Sequence, residues 1–191
     1  MSGRAAGSSA HPLVWNVAGL LGEGVGAVRD HVFEGVTIDL GEDLHLAEPI
    51  AGRVHLARTN RGLLVDADVS TSLAMECARC LRDITVPITA EFAGEARPSI
   101  DLQTGSPIPA DPGDEEDDVI RLTDHHELDL ERSVREAIQL AEPIAPLDRE
   151  DCPGLCVVCG LPLDEGAHDH PDDEVDPRLE ALRAFQPTPD E

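Results

Sequence analysis

The sequence has no tyrosine, no lysine and a single tryptophan, and aromatic residues make up only 2% of its 191 positions. A core must therefore be assembled from Leu, Val, Ile and Ala, which a chain of this length can bury as one domain. The same scarcity counts against base stacking, the usual route to single-stranded RNA or DNA. No apolar run approaches the ~18 residues of a membrane span, and no sustained apolar stretch opens the chain as a signal peptide would. A cytoplasmic protein without a membrane anchor is the expectation. Catalytic signatures are missing as well: there is no G-x-S-x-G, no P-loop and no H-E-x-x-H. Gly22-Glu23-Gly24-Val25-Gly26 does not fit G-x-G-x-x-G, and the region around it reads as a loop.

Basic residues are few and all arginine: 14 of them face 39 acids, for a formal net charge of −25. The imbalance is uneven, because residues 1–110 carry 14 acids and 8 arginines whereas residues 111–191 carry 25 and 6. So acidic a second half repels nucleic-acid backbones and attracts basic partners, or serves solubility alone. The one stretch without acid excess is 50–97, where Arg53, Arg58, Arg61, Arg79 and Arg82 are candidate phosphate contacts, provided the arginines of the 59–62 turn and those near Cys77 share a surface.

What the chain does have is cysteine at telling intervals. Cys77-Ala78-Arg79-Cys80 is one C-x2-C pair. Cys156-Val157-Val158-Cys159 is a second, with Cys152 just before it and His168-Asp169-His170 just after. Such a pair can turn both thiolates on one ion, and Gly160 after Cys159 suits the tight turn required. In a cytoplasmic protein this spacing favours structural zinc over disulfides. A redox C-x-x-C would open a helix, which the Cys77 pair does not. Two ligand partitions are open. Cys77, Cys80, Cys156 and Cys159 can form one four-thiolate site. Alternatively Cys156, Cys159, His168 and His170 close a local site, leaving Cys77 and Cys80 to Cys152 and Asp148. A zinc hydrolase using His168, His170 and the acids beyond them, with His125, His126 and Glu127 as further ligands, is the weaker reading, because nothing frames an open coordination position with a general base.

Periodicity supplies the scaffold. Val54 and Leu56 alternate with Arg53, His55 and Ala57, and Thr59-Asn60-Arg61-Gly62 reads as a turn. Leu63 to Glu76 then alternates as a long half-buried strand. The Cys77–Cys80 knuckle reverses the chain into a second strand over 84–92, making it the tip of an antiparallel hairpin. Pro87 predicts an edge or a bulge in that strand. Residues 94–118 form an acidic, Pro/Gly-rich linker, and Val119–Leu122 returns as a strand. Asp129 caps a helix whose inward stripe is Leu130, Val134, Ala137, Ile138 and Ala141. Asp176-Pro177 starts a short last helix.

Taken together, Cys77-Ala78-Arg79-Cys80-Leu81, Glu127-Leu128-Asp129-Leu130 before its helix, Asp151-Cys152-Pro153-Gly154-Leu155-Cys156-Val157-Val158-Cys159-Gly160 and Asp176-Pro177-Arg178-Leu179 resemble the YceD family, whose members are called large ribosomal RNA subunit accumulation proteins. The resemblance covers roughly residues 35–185. It implies a non-enzymatic factor for accumulation of 23S rRNA and assembly of the large ribosomal subunit. Its partners would be a subunit precursor, 23S rRNA or a basic ribosomal protein, with no small-molecule substrate. The family often has Cys where Asp148 stands here, and many relatives carry Cys or His near 168 and 170. The net charge suggests a division in which the arginine-bearing hairpin meets RNA or a subunit precursor and the acidic half meets a basic ribosomal protein.

The expected fold is α+β: an antiparallel sheet or partly closed barrel with a packed helix and a Cys-rich, zinc-pinned C-terminal segment. The expected divisions are an N-terminal arm, partly disordered (1–34), a β domain (35–93), an acidic linker (94–118), a strand and helix (119–147) and a Cys/His-rich tail with a last helix (148–191).

Overall fold

A computed structural model describes residues 12–109, 119–166, 170 and 178. Five strands form one sheet: β2 (Val28–Val36), β3 (His45–Arg58), β4 (Leu63–Glu76), β5 (Asp83–Arg97) and β6 (Val119–Arg121), hydrogen-bonded in that order. All pairings are antiparallel except β5 with β6. A second, two-stranded ribbon pairs β1 (Val14–Asn16) with β7 (Glu127–Asp129). Two helices complete the described fold, α1 (Ala18–Leu21) and α2 (Glu131–Leu140).

The β4 pattern acts as the alternation demands. Leu63, Val65, Ala67, Val69, Thr71 and Leu73 are buried, while Asp66, Asp68 and Ser70 face solvent. Its pairing with β5 runs unbroken from Leu63↔Ala96 to Glu76↔Asp83. On β3 the register slips around Glu48 and Pro49. There the Glu48 carbonyl accepts the Thr71 hydroxyl at 2.7 Å and its carboxylate accepts Ser72 at 2.8 Å, which satisfies two buried polar side chains.

The sheet is open, not a partly closed barrel. Closure would need β6 to reach β2, but β6 has three residues and meets only Glu95–Arg97 of β5. It also runs parallel to β5, so the sheet is mixed. That pairing explains Pro87. The Arg97 carbonyl faces the β6 side, accepting the Leu122 amide at 2.9 Å. Counting back by twos along a strand with no register shift, Pro87 turns its missing N–H to the same side, where no described strand pairs with it.

One apolar cluster joins the inner sheet face (Val54, Leu56, Leu63, Val65, Leu73) to Leu13, Val17 and Leu20 of the N-terminal stretch and to Leu130, Val134 and Ile138 of α2. As the composition requires, it is aliphatic, with Phe33 the buried aromatic among the described residues. The predicted stripe of α2 is the buried one. Its N-cap is Leu130, and Asp129, the last residue of β7, accepts the Glu131 amide at 2.9 Å. Gln139 and Arg135 donate to the carbonyls of Leu40 (2.8 Å) and Asp39 (2.7 Å), fastening α2 to the loop after β2.

Three details depart from the sequence pattern. Ala18–Leu21 is a helical turn within the stretch read as a loop, because Leu20 and Leu21 enter the core. The sheet starts at Val28, ahead of residue 35. Glu127–Asp129 forms a strand too short to show periodicity. The acidic run at 114–118 and the last helix over 176–185 lie outside the described residues, Arg178 apart.

Candidate metal centre

Both C-x2-C segments fold into the same device. In the first, the Cys77 amide donates to the Arg82 carbonyl at 2.8 Å and the Leu81 amide to the Cys77 carbonyl at 2.9 Å. In the second, Cys156 donates to Leu161 at 2.8 Å and Gly160 to Cys156 at 2.8 Å. The residue after the second cysteine is left-handed in both, with φ 58° at Leu81 and 71° at Gly160. Glycine takes that conformation freely; leucine does so at a cost of about 1–2 kcal/mol. The first knuckle sits between β4 and β5 as expected, with the strands supplying its frame.

The fold distributes the candidate ligands into two clusters. Cys77, Cys80 and Cys152 form one; Cys156, Cys159 and His170 form the other. Within each, the ligand atoms lie within 4.8 Å of one another. The single site made of Cys77, Cys80, Cys156 and Cys159 is therefore not the arrangement found. Geometry supports metal in the first cluster. Thiolates bonded to zinc at about 2.3 Å with tetrahedral angles stand about 3.8 Å apart, and the Sγ atoms of Cys77 and Cys152 are 3.8 Å apart. In the second, Cys156 Sγ and His170 Nε2 are 3.2 Å apart, a little inside the about 3.6 Å of an ideal mixed pair.

The first cluster is buried, and Ile84, Leu147 and Leu155 pack around it. The backbone amides of Asp148, Cys80 and Arg79 converge on the Cys77 sulfur. Led by Asp148, they overcome burial and lower its pKa to about 6. Such a thiolate is ready to accept a cation without first losing a proton. Cys80 goes the other way: the Arg82 amide lowers it, but burial and the neighbouring sulfurs of Cys77 and Cys152 outweigh that and raise it. A bound cation would relieve this repulsion.

Asp148 was expected as a ligand and is not one of the clustered groups. It gives its amide to Cys77, while its carboxylate turns to Arg82 (3.4 Å) and Arg149 (3.8 Å). His168 lies outside the described residues. His125 and His126 occupy the turn before β7, where their carbonyls accept from Asn16 and Val17; neither joins a cluster.

Three of the five arginines proposed for RNA are engaged within the molecule. Arg58 donates to the carbonyls of Leu21 (3.1 Å), Gly62 (2.8 Å) and Thr59, locking the β3–β4 turn to α1. Arg79 donates to the carbonyls of Cys152 (3.0 Å) and Glu150 (3.2 Å). Arg82 bridges Asp148, Asp164 and Glu165. Arg53 is exposed on β3 opposite Asp68, and Arg61 is exposed at the turn. Arg58 and Arg61 sit at one end of β4 and Arg79 and Arg82 at the other, a span of about 45 Å for a strand of that length. Arg79 and Arg82 instead dock the C-terminal segment on the hairpin tip. Arg149 adds a second partner for Asp164, at 2.9 Å. Held by Arg82 and Arg149, the Asp164 carboxyl falls to about 2. The sequence showed these as acid and arginine in neighbouring numbers or far apart, with no periodicity to match them.

A family model described as "Large ribosomal RNA subunit accumulation protein YceD" matches residues 65–186, which contain both clusters. A Mycobacterium tuberculosis (strain ATCC 25618 / H37Rv) protein and a Mycobacterium bovis protein, both described as uncharacterized, are each 38% identical over 128 residues, covering 64% of this chain and 55% of theirs. A Mycobacterium leprae protein is 30% identical over 131 residues, covering 68% and 55%. The chain thus aligns with about half the length of these relatives. No solved structure matches it.

Proposed function

The chain belongs to the YceD family of large ribosomal RNA subunit accumulation proteins, and from that premise we propose that it promotes large-subunit assembly by binding, without turnover. Two zinc ions are its structural cofactors, one held by Cys77, Cys80 and Cys152, the other by Cys156, Cys159 and His170. Each would neutralise thiolates that otherwise repel one another, and the first would pin the C-terminal segment to the hairpin tip. The observation that carries the reading is this construction inside the family-matched span: its candidate ligands come from separate segments, and the first set is buried, with Ile84, Leu147 and Leu155 packed against it.

The proposed partner is a basic protein of the large-subunit precursor. Its support is the net charge of −25 and the internal engagement of Arg58, Arg79 and Arg82, which leaves direct phosphate binding by this hairpin without its best cations. Tagged protein run through a sucrose gradient of cell extract tests the proposal. It should travel with large-subunit precursors and leave them as salt rises. Protein that stays at the top of the gradient at low salt overturns the ribosomal reading. A salt-released protein partner in fractions lacking rRNA would instead favour an acidic chaperone for a basic client.

A further inference from the structure

The second knuckle presents an apolar surface that none of its described contacts uses. Antiparallel pairing sets Leu155 opposite Pro162, flanked by the hydrogen bonds Cys156–Leu161 and Leu163–Gly154 (2.8 and 2.9 Å). Side chains alternate in such a ribbon, so Leu161 and Leu163 share one face, with Val157 and Val158 at its tip. All four are exposed: Val157 97%, Val158 51%, Leu161 59% and Leu163 40%. Four large aliphatic side chains are thus exposed within seven residues, and apolar groups gathered on a surface and rimmed by polar ones mark interaction sites. Zinc would hold Val157 and Val158 rigid, because they lie between two ligands, so a partner would meet a preformed tip.

The charge around the patch selects what can cover it. Residues 148–165 contain five acids and one arginine. Arg149 and the docked Arg82 pair with four of the acids, Asp148, Asp151, Asp164 and Glu165. With Arg79 also on this segment, the rim still keeps more acids than arginines. Asp151 is 87% exposed and Glu165 61%. Phosphate backbones are repelled by such a rim, and a second copy would bring the same acids face to face. A protein segment with apolar side chains flanked by arginine or lysine satisfies both the patch and its border. We propose that the Val157–Leu163 knuckle is the docking tip for a basic, apolar-bearing segment of a protein partner. The inference rests on the ribosomal reading only for the partner's identity, a protein of the large subunit.

A photoreactive benzophenone side chain placed at position 158 of the full-length, zinc-loaded chain tests this. It is irradiated with the proteins extracted from isolated large subunits and, separately, with 23S rRNA. The expected result is a cross-link to a basic ribosomal protein, reduced at least tenfold by Val157→Ser with Leu161→Ser, while two metals per chain remain bound. The same probe at Thr89, exposed on β5, should not reproduce it. Cross-linking to rRNA, to another copy of the chain or to nothing overturns the proposal, as does a yield unchanged by the double substitution. The gradient assay is independent of this one. A chain that travels with precursors yet fails to cross-link through position 158 loses the docking tip and keeps the ribosomal function; one that cross-links but never sediments with precursors does the opposite.

Discussion

Replacing Cys152 with serine and, separately, Cys156 with serine should each remove one metal, yet the two losses should not weigh equally. The first cluster joins residues 75 apart in sequence and the second residues 14 apart. A site formed by nearby residues can assemble in the unfolded chain as well, and metal bound there stabilises the folded state less. The difference in loop-closure cost, (3/2)RT times the logarithm of 75/14, is about 1.5 kcal/mol. Cys152→Ser should therefore lower the unfolding temperature further than Cys156→Ser, by about 3–6 °C for a domain of this size. Zinc counted by chelator release should fall from two per chain to one in either variant, and differential scanning calorimetry at fixed free zinc reads the temperatures. Equal destabilisation, or the larger loss from Cys156→Ser, would refute the claim that the first site alone bridges distant segments. A single substitution that empties both sites would refute the two-cluster partition itself.

Gly62→Ala should cost roughly 2–3 kcal/mol in urea unfolding. Its Cβ would stand 2.0 Å from the Ala96 carbonyl oxygen, a backbone atom with no side-chain freedom to yield; a change under about 0.5 kcal/mol would contradict the β4–β5 register. Leu81→Gly should stabilise the metal-loaded protein by about 0.5–1 kcal/mol, since φ 58° is relieved and little packing is lost from an exposed side chain; destabilisation would mean that Leu81 has a packing role. For Asp164 the pKa is depressed in the folded state, from the usual 3.8 to about 2. Its contribution to holding the C-terminal segment is thus complete above about pH 4 and lost as pH falls through about 2. An NMR titration of chelator-treated protein should show the Arg82 and Arg149 side chains shifting with a midpoint near 2, a response absent in Asp164→Asn. A midpoint near 4 would show the carboxylate unpaired.

Much of the scaffold was legible because period-two alternation is a local property. Leu63 to Glu76 shows its inward face in the order of its residues, and the turn at 59–62 and the knuckle at 77–80 follow from where alternation stops. The helix stripe from Leu130 to Ala141 is readable for the same reason, with a different period. The β1–β7 ribbon is not, because three-residue strands are shorter than any period they could display. The choice between an open sheet and a partly closed barrel was not legible either. Whether a barrel closes depends on how far β6 extends and in which direction it runs, and neither is written in the alternation of β3, β4 and β5.

At the site, the spacing of Cys77, Cys80, Cys156 and Cys159 named candidate metal ligands, since a C-x2-C turn is made by adjacent residues whatever surrounds it. It left the partition open, and it offered Arg58, Arg79 and Arg82 as cations for a partner. Only the tertiary structure assigned Cys152 to the hairpin tip, divided the candidate ligands into two clusters and engaged those arginines within the molecule. The physical reason is common to all three. They are contacts between segments tens of residues apart, chosen by which surfaces the core brings together, and side chains that can serve either a partner or their own fold are claimed by whichever is nearer.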